Sequence, residues 1–358
     1  MSDLQIKSKT ECRWDLISLG EVLLRFDPGD ERIHNARSFR VFDGGAEYNV
    51  ARGLSKVFRQ RTAIATVLAD NALGRLAEDF ILQAGVDTSE IVWREIDNSS
   101  GNATRNGLYF IERGFGLRAP NSAFDRANTA ISQVKAGDFD WQRIFVESKT
   151  RWFHTGGVFT GLAGDNTSGV ALEAIKTARK NGVVVSFDLN YRDSLWKNRG
   201  GKRAANELNK IFLPFVDVVF GVLSEDFNSS AAEFDSKKFR RSSDEMRGEF
   251  PNLKIIASTL RDIESAGLHD FSAAADFGGE IIKARNYRQA AVLDRVGSGD
   301  SFASGFIYAL LEGKGEQFAV DCGAAHGALA MTSVGDNSTA RLPEIERLIS
   351  GADSSVIR

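Results

Sequence analysis

The run Asp294-Arg295-Val296-Gly297-Ser298-Gly299-Asp300-Ser301-Phe302 leads straight into the apolar stretch 303–311. Its three small residues permit a tight turn whose backbone N–H groups converge on an anion. The helix expected over 301–311 adds unsatisfied N-terminal amides and the positive end of its dipole, which suit a phosphate in transfer. Asp300 stands at the junction, placed to take the proton of an attacking hydroxyl. Short glycine turns before helices are common connections, so this run alone does not decide the chemistry. A second run, Gly44-Gly45-Ala46-Glu47-Tyr48-Asn49-Val50-Ala51-Arg52-Gly53-Leu54, also sets paired glycines before a helix. Such glycines let a ligand approach the backbone, and Asn49 on the same helical turn is placed to bond a hydroxyl. Small residues packed against a sheet would read the same way.

Other chemistries find no support. The chain has no G-x-x-x-x-G-K-[ST] loop, no H-E-x-x-H and no H-R-D with D-F-G pair. Its first βα turn lacks G-x-G-x-x-G and an acidic ribose partner, which speaks against a nicotinamide enzyme. His34, His154, His269 and His326 lack metal-ligand spacing, and His154 reads as a satisfied core or cleft histidine. Cys12 and Cys322 are too few for a disulfide framework or a cysteine zinc site. A net charge of −3 gives no footprint for nucleic acid or an anionic membrane. No stretch approaches the roughly 20 apolar residues that span a bilayer, and the N-terminus lacks the apolar core of a signal peptide. The expected compartment is the cytoplasm.

The elements that must position these runs alternate. Strands are expected at 14–19, 62–67, 152–155, 183–188, 217–220 and 253–258, with β-like sequence continuing to 284. Helices are expected at 46–58, 72–84, 167–181, 204–213, 301–311, 317–331 and 343–349. With 42% hydrophobic and 26% charged residues in 358, the chain suits a single folded body spanning 1–358. Strand–helix alternation of this kind argues for an α/β fold with a mainly parallel central sheet flanked by helices. Two segments, 21–42 and 88–126, break the rhythm with strand-like pieces and no helix pattern. They are expected to form a small β-sheet lid over the site, ordinary surface loops being the alternative.

Together, the two glycine runs resemble the signature regions of the ribokinase-like (PfkB) carbohydrate kinases, in the right order and about 250 residues apart. The resemblance extends from Leu19-Gly20-Glu21 to Gly335-Asp336. It is nearest to the 2-keto-3-deoxygluconate (2-dehydro-3-deoxygluconate) kinases, through Gly107-Leu108-Tyr109, His154-Thr155-Gly156-Gly157, Asp188-Leu189-Asn190-Tyr191-Arg192 with Leu195-Trp196, and Thr259-Leu260-Arg261. It implies in-line transfer of the γ-phosphate of ATP to a sugar hydroxyl, with Asp300 as base, the amides of Gly297, Ser298 and Gly299 as anion hole, and Mg²⁺ on the phosphates. It puts the sugar near Gly45, Asn49 and Tyr109, with Arg126 and Arg192 holding an acid's carboxylate; Arg192 has the γ-phosphate as an alternative partner. ATP is expected towards Ser258, Thr259, Arg261, Ala324 and Asp336, with the helical stretch 321–331 flanking the adenine.

The sequence departs from the pattern at three points, the mildest being Gly-Ser-Gly at 297–299 in place of the commoner Gly-Ala-Gly or Gly-Gly-Gly. Val222-Leu223-Ser224-Glu225-Asp226 stands where these kinases commonly have Gly-Asn-Glu-Glu-Asp, a region that manages Mg²⁺ through water, so Asp226 is the remaining metal-side candidate. Phe124 stands where close relatives often carry Tyr. The implied partners are a sugar or sugar acid and ATP, with a homodimer through the lid; a monovalent cation is left open. Fructose, ribose or a 2-deoxy-5-keto acid are the alternative substrates, and a non-catalytic sugar- or nucleotide-binding relative is the alternative of another class.

Overall fold

The computed structural model describes residues 4–96, 104–162, 165–224 and 227–351. Its first half contains β1 Leu16–Leu19, β2 Leu23–Asp27, β3 Arg40–Gly44, α1 Ala46–Lys56, β4 Thr62–Ala69, α2 Ala72–Gln83, β5 Val86–Asp87, β6 Ile91–Arg94, β7 Gly107–Glu112 and β8 Asn121–Asp125. Then follow β9 Trp152–Gly156, α3 Gly157–Thr160, α4 Asp165–Lys180, β10 Val184–Asp188, α5 Asp193–Trp196, α6 Gly201–Lys210, β11 Val218–Phe220 and α7 Ser236–Glu249. The chain continues through β12 Ile255–Ser265, β13 Leu268–Phe277, β14 Ile281–Lys283, β15 Tyr287–Ala291, α8 Ser298–Leu311, α9 Glu316–Ala330 and α10 Leu342–Ile349.

Apolar, β-branched runs such as Thr62–Ala69, buried at all eight positions, are what a sheet covered on both faces requires. The large sheet runs β14-β13-β12-β11-β10-β9-β1-β4-β5, parallel from β12 to β5 and antiparallel at β13 and β14. Alternate side chains go to opposite faces. Leu16 and Ile64 join α1, α8 and α9 in one core, whereas Ile17, Leu19 and Ala63 join α4 and α7 in the other. The expected α/β architecture is therefore the observed one.

A second sheet, ordered β3-β2-β7-β8, is built from the two segments that broke the rhythm. The second of those segments divides, however. Ile91–Arg94 pairs in parallel with Thr66–Ala69 in the large sheet and takes no part in the small one. β5 pairs only with Thr62 and Ala63, so the later residues of β4 keep backbone groups to satisfy, and β6 satisfies them. Helix α7 was not anticipated. Its sequence is mostly charged, and only Phe239, Ser242, Ser243 and Met246 are buried. The available signal was Asp235, whose carboxylate caps the helix by accepting from the amides of Lys237 and Lys238.

Candidate active site

The carboxyl ends of β1, β9 and β10 open towards the small sheet, and a cavity of about 580 Å³ lies between them. Leu23, Tyr109, Phe124 and Arg126 line it from the small-sheet side; Asp188, Arg192, Arg261, Arg295 and residues 297–300 line it from the large domain. A second cavity of about 420 Å³ adjoins it and shares Asp188, Asn190, Ser229, Thr259 and Gly299. Ligand crevices at the carboxyl ends of parallel strands are the rule for open α/β sheets.

Helix α8 begins at Ser298, three residues before the expected start, so Asp300 is its third residue. Gly297 caps it with φ +76°, and a Cβ there would lie 1.7 Å from the backbone oxygen of Asp336. Only glycine fits. The cap donates no side-chain acceptor to the helix, so the first amides remain for a ligand. Gly45 is constrained in the same way: its φ is +139°, and a Cβ would sit 2.0 Å from the carbonyl oxygen of Glu21. Its smallness thus serves packing as well as the cavity it lines.

Asp300 is 7% exposed, and Asn49 Nδ2 donates to its Oδ2 at 2.7 Å. Burial pushes its carboxyl up to about 7, the Asn49 hydrogen bond opposing and the Asp188 carboxylate assisting. Burial likewise pushes Asp188 up to about 6, although the Asn190 amide donates to it at 3.0 Å. Beneath them Glu47, whose Oε1 accepts from the Phe159 amide at 3.2 Å, is pushed up by burial to about 8. Three cations face these acids. Arg261 is lowered to about 10 by burial and by the neighbouring Arg295 and Arg192. It donates to the Ser298 hydroxyl at the helix start. Among the described residues, none of Arg192, Arg261 and Arg295 forms an ion pair. Unpaired guanidiniums beside open helix amides make a site for a polyanion.

On the small-sheet side, Tyr109 is buried and stacks on Phe124 with ring centroids 5.6 Å apart. Arg126 lies 5.6 Å over the Phe124 ring and pairs with the buried carboxylate of Glu21. Gly45, Asn49, Tyr109, Arg126, Arg192, Thr259, Arg261, residues 297–300 and Asp336 therefore share one cavity, while Ser258 lines its smaller neighbour.

Ala324 does not join them. It is fully buried in the core packing of α9, because small residues there let α8 and α9 approach closely, a Cβ on Gly305 lying 2.9 Å from the Cys322 carbonyl oxygen. Asp336 touches the cavity, but its carboxylate accepts from Arg25 at 2.8 Å. Asp226 lies outside the described residues. Leu223 packs against the second core, its amide 3.4 Å from the Met246 sulfur. His154 is a core residue, its Nδ1 2.8 Å from the Ser186 hydroxyl. Asp188, Arg295 and Glu47 were not anticipated as site residues. Each lies inside or beside a run already singled out, and what the sequence lacked was the fold that brings them together around Asp300.

Comparison with known proteins decides the family. The pfkB family carbohydrate kinase pattern matches residues 14–225 and 272–343. The chain belongs to this family. It is an ATP-dependent carbohydrate kinase, as the glycine runs led one to expect. It is 29% identical to a 2-dehydro-3-deoxygalactonokinase of Haloferax volcanii over 96% of this chain and 99% of that one. It is 26% identical to a 5-dehydro-2-deoxygluconokinase of Clostridium perfringens, covering 90% and 88%. The crystal structure of a 2-dehydro-3-deoxygluconokinase from Thermotoga maritima matches this kinase with a TM-score of 0.82 and 32% identity, covering 94% and 99%. A putative ribokinase II from E. coli, solved with ATP and Mg²⁺, shares the fold at a TM-score of 0.74 and 18% identity.

Proposed function

We propose that this kinase phosphorylates a sugar acid, 2-keto-3-deoxygluconate being the first candidate, to give its 6-phosphate. The observation that carries the polyphosphate half of the reading is the set of unpaired arginines, 192, 261 and 295, around the open start of α8. Asp300 takes the proton of the attacking hydroxyl; Asn49 holds its Oδ2, leaving the other carboxylate oxygen for the substrate. The amides of Gly297, Ser298 and Gly299 stabilise charge on the transferring group, and Arg261 and Arg192 assist. Phosphoryl transfer depends mainly on such positioning and electrostatic stabilisation. The nucleotide extends along Ser258, Thr259 and Arg261, and Mg²⁺ on its phosphates would neutralise charge there, with Asp188, which lines both cavities, the carboxylate at hand.

The acid end of the sugar falls to the small-sheet side. Arg126 gives Glu21 one of its five N–H groups and keeps the others for a substrate carboxylate. The three relatives above that are 26% or more identical are all named for sugar-acid substrates, which supports the class. A 5-dehydro-2-deoxygluconate is the second reading, because several relatives carry that name. Strand β8, exposed at all five positions, together with exposed Phe115 and Leu117, suits pairing with the same face of a second copy, so a homodimer through the small sheet is part of the proposal.

A coupled ADP-release assay with Mg-ATP tests the substrate. The panel is 2-keto-3-deoxygluconate, 2-keto-3-deoxygalactonate, 5-dehydro-2-deoxygluconate, fructose and ribose. Turnover confined to one or more acids supports the reading, and turnover with a neutral sugar at equal kcat/KM contradicts it.

A further inference from the structure

Arg25 is a guanidinium with no exposed surface, in the middle of strand β2 of the small sheet. Its Nη1 donates to Asp336 at 2.8 Å, and its Nη2 donates to Asp27 at 2.9 Å and to Asp294. Only Asp27 belongs to the same strand. Asp294 opens the run that leads to the anion hole, and Asp336 lies beyond α9. A buried cation bridging three segments is costly to maintain unless every charge is paired, and here it fixes how those segments lie against one another.

The partners of Asp294 and Asp336 show what is being fixed. One oxygen of Asp294 accepts from the Val296 amide at 3.1 Å, the residue just before Gly297, and the other accepts from Gly335 at 3.3 Å as well as from Arg25. Asp336 presses its backbone oxygen on Gly297, so closely that no side chain fits. Both walls of the Gly297 turn are therefore gripped by one side chain, and that side chain belongs to the sheet that covers the cavity.

We infer that Arg25 is a positioning residue for phosphoryl transfer, its guanidinium coupling the small sheet to the anion-binding start of α8. It touches neither reactant. It holds the turn that aims the amides, and those amides act most strongly on the charge of the transition state. Loss of the clamp lowers the rate of the bound complex and leaves the affinities largely intact. The inference rests on the reading of residues 297–299 as the anion hole.

The test is single-turnover phosphorylation by wild type, Arg25→Lys and Arg25→Met, with Mg-ATP and the sugar acid saturating. Binding stoichiometry by calorimetry supplies the concentration of folded enzyme. The expected result is a rate per bound complex roughly 10²-fold lower in Arg25→Met, on the scale of losing one oxyanion donor, with dissociation constants within about threefold of wild type. Arg25→Lys keeps the charge without the fork and recovers about tenfold of that loss. Should Arg25→Met fail to fold, Arg25→Lys decides alone, with a rate about tenfold below wild type expected. A wild-type rate per bound complex in every folded variant overturns the inference, since a purely structural residue would lower only the folded fraction. Asp300→Asn separates the two levels. If it abolishes transfer while the Arg25 variants turn over normally, this inference fails alone; if it too turns over normally, the site reading fails first.

Discussion

Two clusters of charge lie side by side in this molecule, one closed inside the fold and one open to the cavity. Around Arg25, three carboxylates converge on one guanidinium inside the protein, and Arg113 gives Asp27 a second cation at 3.4 Å. Around Asp300, arginines 192, 261 and 295 have no ion-pair partner among the described residues, while Glu47, Asp188 and Asp300 are held towards their neutral forms by burial. The first cluster pairs its cation within the protein, whereas the cations of the second await charge from outside. Charge that lines a cavity and that the fold leaves uncompensated marks the place where a ligand completes the structure. The paired cluster marks the scaffold that aims it.

Substitutions that break the contrast are ordered by their expected size. Asp300→Asn removes the base and should lower kcat by about 10²- to 10⁴-fold, measured by ADP release. The same variant should be no less stable than wild type, and more stable above neutrality. Asp300 binds its proton more tightly when folded, so between its ordinary carboxylate value and about 7 the native state holds the extra proton and stability falls as pH rises. Thermal melts of both proteins on either side of pH 7 check the sign. Next comes Arg261→Gln. It removes one unpaired cation, and should raise KM for Mg-ATP by about tenfold while leaving the melting temperature unchanged or higher, because an uncompensated buried charge is relieved. An equal loss of stability would place Arg261 with the scaffold.

An effect of the same order sharpens the substrate side. Arg126→Ala should lower kcat/KM for the sugar acid by roughly tenfold, on the scale of one charge-assisted hydrogen bond, with KM for ATP unchanged. Arg126 differs from the other arginines in being already paired with Glu21. Part of its loss therefore reflects an orphaned Glu21, and Glu21→Gln in the same background should recover stability but not substrate affinity. Size-exclusion chromatography with light scattering tests the small-sheet dimer: a dimer lost on Phe115→Asp with Leu117→Asp supports it, and a wild-type monomer at high concentration contradicts it.

Much of this was legible in the sequence, for reasons that can be named. Strands buried on both faces announce themselves as unbroken apolar runs, as Thr62–Ala69 does. Gly297 was readable because its conformation is written in its residue type. The anion-hole helix began earlier than expected because Ser298 and Gly299, poor helix residues, are carried into its first turn by tertiary packing. Ile91–Arg94 joined the large sheet because β4 had an open edge, which depends on strand order and not on local pattern. The cluster at Arg25 was invisible for the same reason. Two of its three partners lie 269 and 311 residues away, and no spacing rule links them. Charge can be counted from a sequence, but whether it is paired is a property of the fold.

The central claim is that Asp300, held near neutrality by burial, is the base. The most direct measurement is the pH dependence of kcat/KM for the sugar acid, with Mg-ATP saturating, from about pH 5 to about pH 9. The account predicts a rise of about tenfold per pH unit on the acid side, levelling off at about 7, and no such limb in the residual activity of Asp300→Asn. A profile that stays flat across that range, or an acid limb that survives in Asp300→Asn, would contradict it.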